Sequence, residues 1–140
     1  MRVVATWKSG QQYDGVSGSG RHVTIDADAA HTAGPGPMEM VLMGLCACTS
    51  VDVISILAKK REPFTGLRVT AEAEQAAEPP RVFTSIRLTY RVSGNVSEKA
   101  MRDAVGLSKD KYCSVSKMLE KTASIDFAIE HEESSPGGSA

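Results

Sequence analysis

Three cysteines are the residues of this chain best suited to chemistry, and they lie in two separate segments. Cys46 and Cys48 belong to an apolar run that begins near Pro37, and Cys113 comes much later in the chain. Two thiols that meet can be oxidised to a disulfide and reduced again by an external thiol. The cysteines therefore favour thiol-based redox chemistry. The alternative is that each one is a small buried hydrophobic residue, as free cysteines commonly are.

The apolar run predicts a long helix that begins near Pro37 and ends near Lys60 and Arg61. Proline is favoured at the first helical position, and Pro63 prevents the helix from continuing. The segment Met40–Cys48 carries no charge. A helix that is apolar all round must be covered on nearly all sides, so we expect it to form the core of the domain or of a dimer.

Helical geometry separates the two cysteines of this run. Cys46 and Cys48 are two residues apart, so they project about 200° from each other and cannot both line one pocket. Asp52, Ser55 and Lys59 follow Cys48 at helical spacing and predict a polar stripe on its face. We therefore expect Cys48 to face a cleft and Cys46 to be packed.

The third thiol lies at the predicted start of a short helix, Cys113–Glu120. The free amides of a helix start carry partial positive charge, which stabilises a thiolate and lowers its pKa. Such a thiolate could attack a sulfenic acid formed when a peroxide oxidises Cys48, and the product would be a disulfide. Sequence spacing alone does not show that the sulfurs meet, so the packing interpretation stays equally open.

The remaining elements predict one domain over residues 1–130 and a flexible tail over residues 131–140. Alternation of polar and apolar residues predicts strands over residues 3–8, 21–26, 67–74, 82–92 and 124–130. The first strands look like an antiparallel meander, and the third and fourth look like a hairpin. Ser97 is suited to cap a helix over the residues that follow it.

Composition and charge exclude several classes of function. Sixteen basic and seventeen acidic residues give a net charge of -1, and no basic cluster is dense enough for nucleic-acid binding. The amino end lacks the apolar core of a signal peptide, and we expect that no apolar run approaches the ~20 residues that a membrane-spanning helix requires. We expect a cytoplasmic protein with no membrane partner. The three histidines are scattered, so no metal site is predicted.

Two segments carry a resemblance to a known family: Gly36–Val53 with Cys48, and Tyr112–Leu119 with Cys113. With these motifs in this order and spacing, the chain resembles the OsmC/Ohr proteins, in particular their OsmC-like, YhfA-type branch. The resemblance implies an α+β fold. It also implies an intertwined homodimer, in which antiparallel sheets enclose the long central helices that bear the cysteines.

In that family the first motif cysteine reduces organic hydroperoxides and the second resolves it, with an arginine and a glutamate activating the first. The resemblance thus implies that Cys48 is peroxidatic and Cys113 resolving. Glu39 and Arg21 are the candidate activators, although Met38 stands where the peroxidases have their glutamate. It further implies an organic hydroperoxide substrate, an external thiol or dithiol reductant, and no bound cofactor.

Two functions from different classes follow from the sequence. The first is a thiol-dependent hydroperoxide reductase that uses both motif cysteines. The second is a noncatalytic dimer of the same fold that binds an apolar small molecule or a thiol compound in its interface pocket. Turnover of a hydroperoxide in the presence of a dithiol distinguishes them.

Overall fold

The computed structural model describes residues 1–132. In chain order its elements are β1 (Val4–Ser9), β2 (Gln12–Val16), β3 (His22–Asp26), α1 (Pro37–Lys59), β4 (Phe64–Gln75), β5 (Phe83–Gly94), α2 (Glu98–Leu107), a π-helical turn (Ser108–Tyr112), α3 (Ser114–Leu119) and β6 (Ser124–Glu132). Two compact units result, one formed by Met1–Met43 and the other beginning at Gly44. That residues 1–130 act as a single domain stays a prediction.

The first unit contains an antiparallel sheet in the order β1, β2, β3, as the predicted meander requires. Gly10, with a φ of 54°, makes the turn between β1 and β2, a conformation that glycine adopts without a side-chain clash. The indole nitrogen of Trp7 donates a hydrogen bond to the Gly10 carbonyl at 2.9 Å. Every residue of β1 is exposed in the single chain.

The second sheet has the order β4, β5, β6. β4 and β5 form the predicted antiparallel hairpin, but β5 and β6 are parallel. The prediction of antiparallel sheets was therefore wrong for this pair. The chain between β5 and β6 passes through α2 and α3, which supplies the long crossover that parallel strands need.

The carboxyl end of β6 extends the last predicted strand. The strand continues to Glu132, so His131 and Glu132 are paired in the sheet rather than part of a tail. The rest of the predicted tail, residues 133–140, lies outside the described residues.

The long helix α1 has the predicted start at Pro37 and ends two residues before Arg61. Its buried residues recur every four positions and form one stripe: Leu45, Thr49, Val53 and Leu57. The opposite face is open at Val51, which is 68% exposed, and Val41 and Met43 in the first turns of the helix are also exposed. The covering expected on nearly all sides is therefore not supplied by this chain alone.

Among residues 1–132, α1 is the one helix long and apolar enough to cross a membrane by length and composition. Its most apolar 18-residue window has a mean hydropathy of 2.1. The prediction that no apolar run approaches the length of a membrane span was therefore wrong for this helix. Core helices of proteins without any membrane span have the same composition, so the absence of a membrane partner stays a prediction.

The helices after β5 carry the third cysteine. The Ser97 hydroxyl accepts a hydrogen bond from the Ala100 amide at 3.0 Å, which confirms Ser97 as the cap of α2. α2 buries one face, composed of Ala100, Met101, Ala104 and Val105. The π-helical turn then leads directly into Cys113 and α3. Turns of this type are rare in proteins, and many of those that occur lie at functional sites.

Candidate active site

Cys48 lies in the middle of α1 and is half-buried. The next residue, Thr49, belongs to the buried stripe of the helix, so the Cys48 side chain lies at the edge of the packed face. Cys46 is also half-buried, and burial raises its pKa. Solvent therefore reaches the side chain of Cys48 without the thiol being fully exposed.

Cys113 is the cap residue at the amino end of α3 and is fully buried. Its sulfur accepts a hydrogen bond from the Ser116 amide at 3.4 Å. Its own amide donates to the carbonyl of Ser108 at 2.7 Å. The predicted position of Cys113 at a helix start is confirmed, and hydrogen bonds hold both its main chain and its side chain.

The structure brings Cys48 and Cys113 together. Burial, together with the neighbouring Cys48, raises the pKa of Cys113 to about 11. The amides of Ser116 and Val115 lower this pKa, but they do not outweigh burial and the neighbouring thiol. The prediction that the helix start gives Cys113 a lowered pKa was therefore wrong, because removal from water dominates.

A chain of buried hydroxyl groups lies beside the thiols. The Thr49 hydroxyl is 2.7 Å from the Tyr90 hydroxyl and 2.8 Å from the Ser108 hydroxyl. Ser108 in turn donates to a carboxylate oxygen of Asp52 at 2.8 Å. Thr49, Tyr90 and Ser108 are almost completely buried. These contacts join α1, β5 and the π-helical turn around the cysteines.

The pKa of Tyr90 shows how close this chain of hydroxyls lies to the sulfurs. Burial raises the pKa of Tyr90 to about 12, and the charges of Cys113, Cys46 and Asp52 raise it as well. Cys46 thus affects the pKa of Tyr90, whereas Cys48 affects the pKa of Cys113. Both cysteines of α1 are half-buried, so the predicted difference between a packed Cys46 and an accessible Cys48 is not seen in this chain alone.

Sequence reasoning missed Thr49, Tyr90 and Ser108. The available signal was Thr49, a hydroxyl residue in a stripe whose other members are Leu45, Val53 and Leu57. A polar residue in such a stripe requires a buried partner. The partners themselves could not be identified, because Tyr90 and Ser108 come from elements far along the chain.

The two candidate activators lie in the first compact unit. Glu39 is 56% exposed, and its side chain is 3.7 Å from Nε2 of His31. The same carboxylate accepts a hydrogen bond from the Gly36 amide at 2.9 Å, as a residue in the first turn of α1 can. Arg21 is exposed, and its amide donates to the Ser17 hydroxyl. Activation of Cys48 by either residue stays a prediction.

Among residues 1–132, every buried side-chain nitrogen and oxygen atom has a hydrogen-bond partner. Within the same range, no group of three or more histidine, cysteine, aspartate or glutamate side chains is placed to hold a metal ion. The reactive groups gathered at this site are thus thiols, hydroxyls and one carboxylate.

A sequence model of the family described as OsmC-like protein matches residues 8–128. The chain belongs to the OsmC-like family. The resemblance carried by the two cysteine motifs is therefore confirmed, and so is an OsmC-like α+β fold with two small sheets and helices.

Relatives of this OsmC-like chain cover nearly its whole length. Protein YhfA of Escherichia coli K12 is 40% identical over 131 residues, which are 93% of this chain and 97% of that protein. A hypothetical protein of Aquifex aeolicus VF5 is 29% identical with a TM-score of 0.81, over 94% of this chain and 97% of the other. An organic hydroperoxide resistance protein OsmC of Legionella pneumophila shares the fold at 12% identity, with a TM-score of 0.70 over 93% and 97% of the two chains.

Proposed function

We propose that this protein is a thiol-dependent reductase of organic hydroperoxides, with Cys48 as the peroxidatic and Cys113 as the resolving residue. The proximity of Cys48 to Cys113, which raises the pKa of the Cys113 thiol, carries the proposal. Family membership supports it, since a protein with the same fold is named for organic hydroperoxide resistance. The half-buried Cys48 is the thiol that a substrate reaches, and the buried Cys113 is its partner.

The first step uses the Cys48 thiolate as the nucleophile. It attacks the terminal oxygen of the hydroperoxide, the O–O bond breaks, and the organic fragment leaves as an alcohol after taking up a proton. Sulfur is oxidised by two electrons to a sulfenic acid, and the peroxide is reduced by the same two electrons.

The second step uses Cys113. Its thiol loses a proton and attacks the Cys48 sulfenic sulfur, an S–S bond forms, and the sulfenic oxygen leaves as water. An external dithiol then reduces the disulfide and becomes a disulfide itself. The sum of the steps converts hydroperoxide and dithiol into alcohol, water and oxidised dithiol. No bound cofactor is needed in this cycle.

A homodimer and a cytoplasmic location complete the proposal. The exposed apolar face of α1 and the fully exposed β1 are surfaces that a second copy of the chain would cover. Exposed apolar patches of this kind are typical of protein interfaces. A reducing compartment such as the cytoplasm supplies the thiols that the cycle consumes.

The second candidate function is a noncatalytic dimer that binds an apolar small molecule or a thiol compound at its interface. The high pKa of Cys113 favours this alternative, because a buried protonated thiol is a poor nucleophile. The apolar face of α1 would then contact a ligand rather than a substrate.

Consumption of cumene hydroperoxide with a dithiol present separates the two functions. We expect the wild type to consume it and Cys48→Ser to lose the activity, while the matched variant Cys46→Ser keeps it. Cys113→Ser should complete a first turnover and then stop or become overoxidised. Equal consumption by wild type and Cys48→Ser, or none by either, would reject the enzyme.

A further inference from the structure

We propose that Asp52 and Ser108 are positioning residues that hold Cys113 against Cys48. They do so through a chain of hydrogen bonds in which each hydroxyl donates to the next group and the last acceptor is the Asp52 carboxylate. This inference rests on the proposed function, since it concerns how the same two thiols are brought to react. The redox steps do not use the buried hydroxyl groups beside the thiols, and the inference gives these groups a role.

The direction of the chain follows from counting protons. Ser108 has one hydroxyl proton and donates it to Asp52 at 2.8 Å, while its alternative acceptor, the Thr49 carbonyl, is 3.5 Å away. The shorter bond to a carboxylate is the stronger one. Thr49 must then donate its own hydroxyl proton to the Ser108 oxygen, because that oxygen has no proton left to give.

The same counting fixes the last link. With its proton committed to Ser108, the Thr49 oxygen can only accept from Tyr90, so the Tyr90 hydroxyl donates at 2.7 Å. The chain therefore runs from Tyr90 through Thr49 and Ser108 to Asp52. It ends on a carboxylate, which accepts hydrogen bonds without donating any.

Ser108 connects this chain to the resolving thiol. Its side chain is bound to α1 through Asp52 and Thr49, and its carbonyl accepts the amide proton of Cys113 at 2.7 Å. Ser108 thus binds α1 through its side chain and binds Cys113 through its main-chain carbonyl. Asp52 lies four residues after Cys48, on the same face of α1.

Within the hydrogen-bond chain, Asp52 has a role beyond packing in the protein interior. It is half-buried, in contrast to Thr49, Tyr90 and Ser108. A charged group at this depth forgoes part of its hydration. Its hydrogen bond to Ser108 links the peroxidatic helix to the turn that carries the resolving thiol. Removal of Asp52 should thus loosen the Cys48 and Cys113 pair more than it loosens the fold.

The test is the equilibrium between the dithiol and the Cys48–Cys113 disulfide in reduced and oxidised glutathione. Oxidised glutathione takes the electrons, so no peroxide is required. Asp52→Ala and Ser108→Ala should each lower the equilibrium constant for disulfide formation about tenfold. Asp52→Asn keeps an acceptor oxygen and should stay within about threefold of the wild type. The control Ser55→Ala, at an exposed position on the same helix, should leave it unchanged.

Thermal melting of each reduced variant accompanies the equilibrium and reports damage to the fold. If Ser108→Ala does not fold, the two Asp52 variants decide. An unchanged equilibrium in Asp52→Ala, or an equal loss in Asp52→Ala and Asp52→Asn, would overturn the positioning role, as would a wild type that forms no Cys48–Cys113 disulfide. A wild type that forms the disulfide but consumes no hydroperoxide would reject the proposed function alone.

Discussion

Cys48 lies close enough to Cys113 to raise the pKa of its thiol, so the two cysteine motifs of the chain converge on one site. The convergence is asymmetric, because Cys113 is fully buried and Cys48 is only half-buried. An oxidant therefore meets Cys48 first. In the proposed cycle, this difference in access sets the order in which the two thiols react.

Replacement of the resolving thiol should leave Cys48 open to overoxidation. In Cys113→Ser the Cys48 sulfenic acid has no partner, so excess hydroperoxide should convert it to the sulfinic acid. Intact-protein mass spectrometry after peroxide treatment measures the added oxygen atoms. Cys46→Ser is the matched control and should behave as the wild type does. The same oxidation state in the wild type and in Cys113→Ser would show that Cys113 does not resolve.

Disulfide formation should become faster as the pH rises. The pKa of Cys113 is raised to about 11, so its thiolate fraction increases about tenfold per pH unit below that value, and the thiolate is the attacking species. Stopped-flow measurement of disulfide formation after a single equivalent of hydroperoxide should show this slope between pH 7 and about 9. A rate that is independent of pH over this range would contradict a high pKa at the resolving sulfur.

Stability should decrease in alkaline solution. Cys113 and Tyr90 have ordinary pKa values of 9.0 and 10.0, which the fold raises to about 11 and about 12. Between the unfolded and folded pKa values the native state binds more protons than the unfolded state, so the free energy of unfolding falls as the pH rises. This contribution is fully present below the unfolded values and is lost as the pH passes through the folded ones.

Urea unfolding at a series of alkaline pH values measures this decrease. Cys113→Ser removes one of the two groups and should give a shallower decline than the wild type. A free energy of unfolding that stays constant from pH 8 to about 11 would contradict the raised pKa values of Cys113 and Tyr90.

Tyr90→Phe should lower the free energy of unfolding by about 1–3 kcal/mol, because it leaves the buried Thr49 hydroxyl without its donor. The ring itself is retained, including its edge-to-face contact with Phe127 at 6.2 Å between centroids. Tyr112→Phe removes a hydroxyl from an exposed tyrosine and should change stability by less than about 0.5 kcal/mol. Urea unfolding near pH 7 compares them. Equal effects of the two substitutions would argue against the buried chain of hydroxyls.

Val51→Lys should convert the proposed homodimer to a monomer. Val51 is exposed on the apolar face of α1, and a lysine in a covered apolar interface would bury an unpaired charge. Sedimentation equilibrium measures the mass, with Thr84→Lys on an exposed strand position as the control. A wild type that sediments as a monomer would contradict the proposal that a second copy of the chain covers the apolar face of α1.

The sequence predicted the elements that depend on local signals. Pro37 and Pro63 delimit α1 closely, and Ser97 caps α2, because these residues act on the backbone next to them. The parallel pairing of β6 was not predictable from alternation, since a parallel and an antiparallel strand can show the same pattern of apolar residues.

The site was predictable in its reactive residues and not in its environment. Cys48 and Cys113 could be proposed as the reactive residues because thiols are few and their motifs are specific. The direction of the pKa shift of Cys113 depended on burial, which position in the chain does not reveal. Tyr90 and Ser108 are ordinary residue types whose role arises only when the fold places them beside Thr49.

Peptide mapping by mass spectrometry after brief exposure to one equivalent of an organic hydroperoxide tests the redox cycle most directly. The account predicts a disulfide-linked pair of peptides that contain Cys48 and Cys113, with Cys46 remaining a free thiol. A Cys48 that is overoxidised while Cys113 stays a free thiol, or a disulfide formed through Cys46, would contradict it.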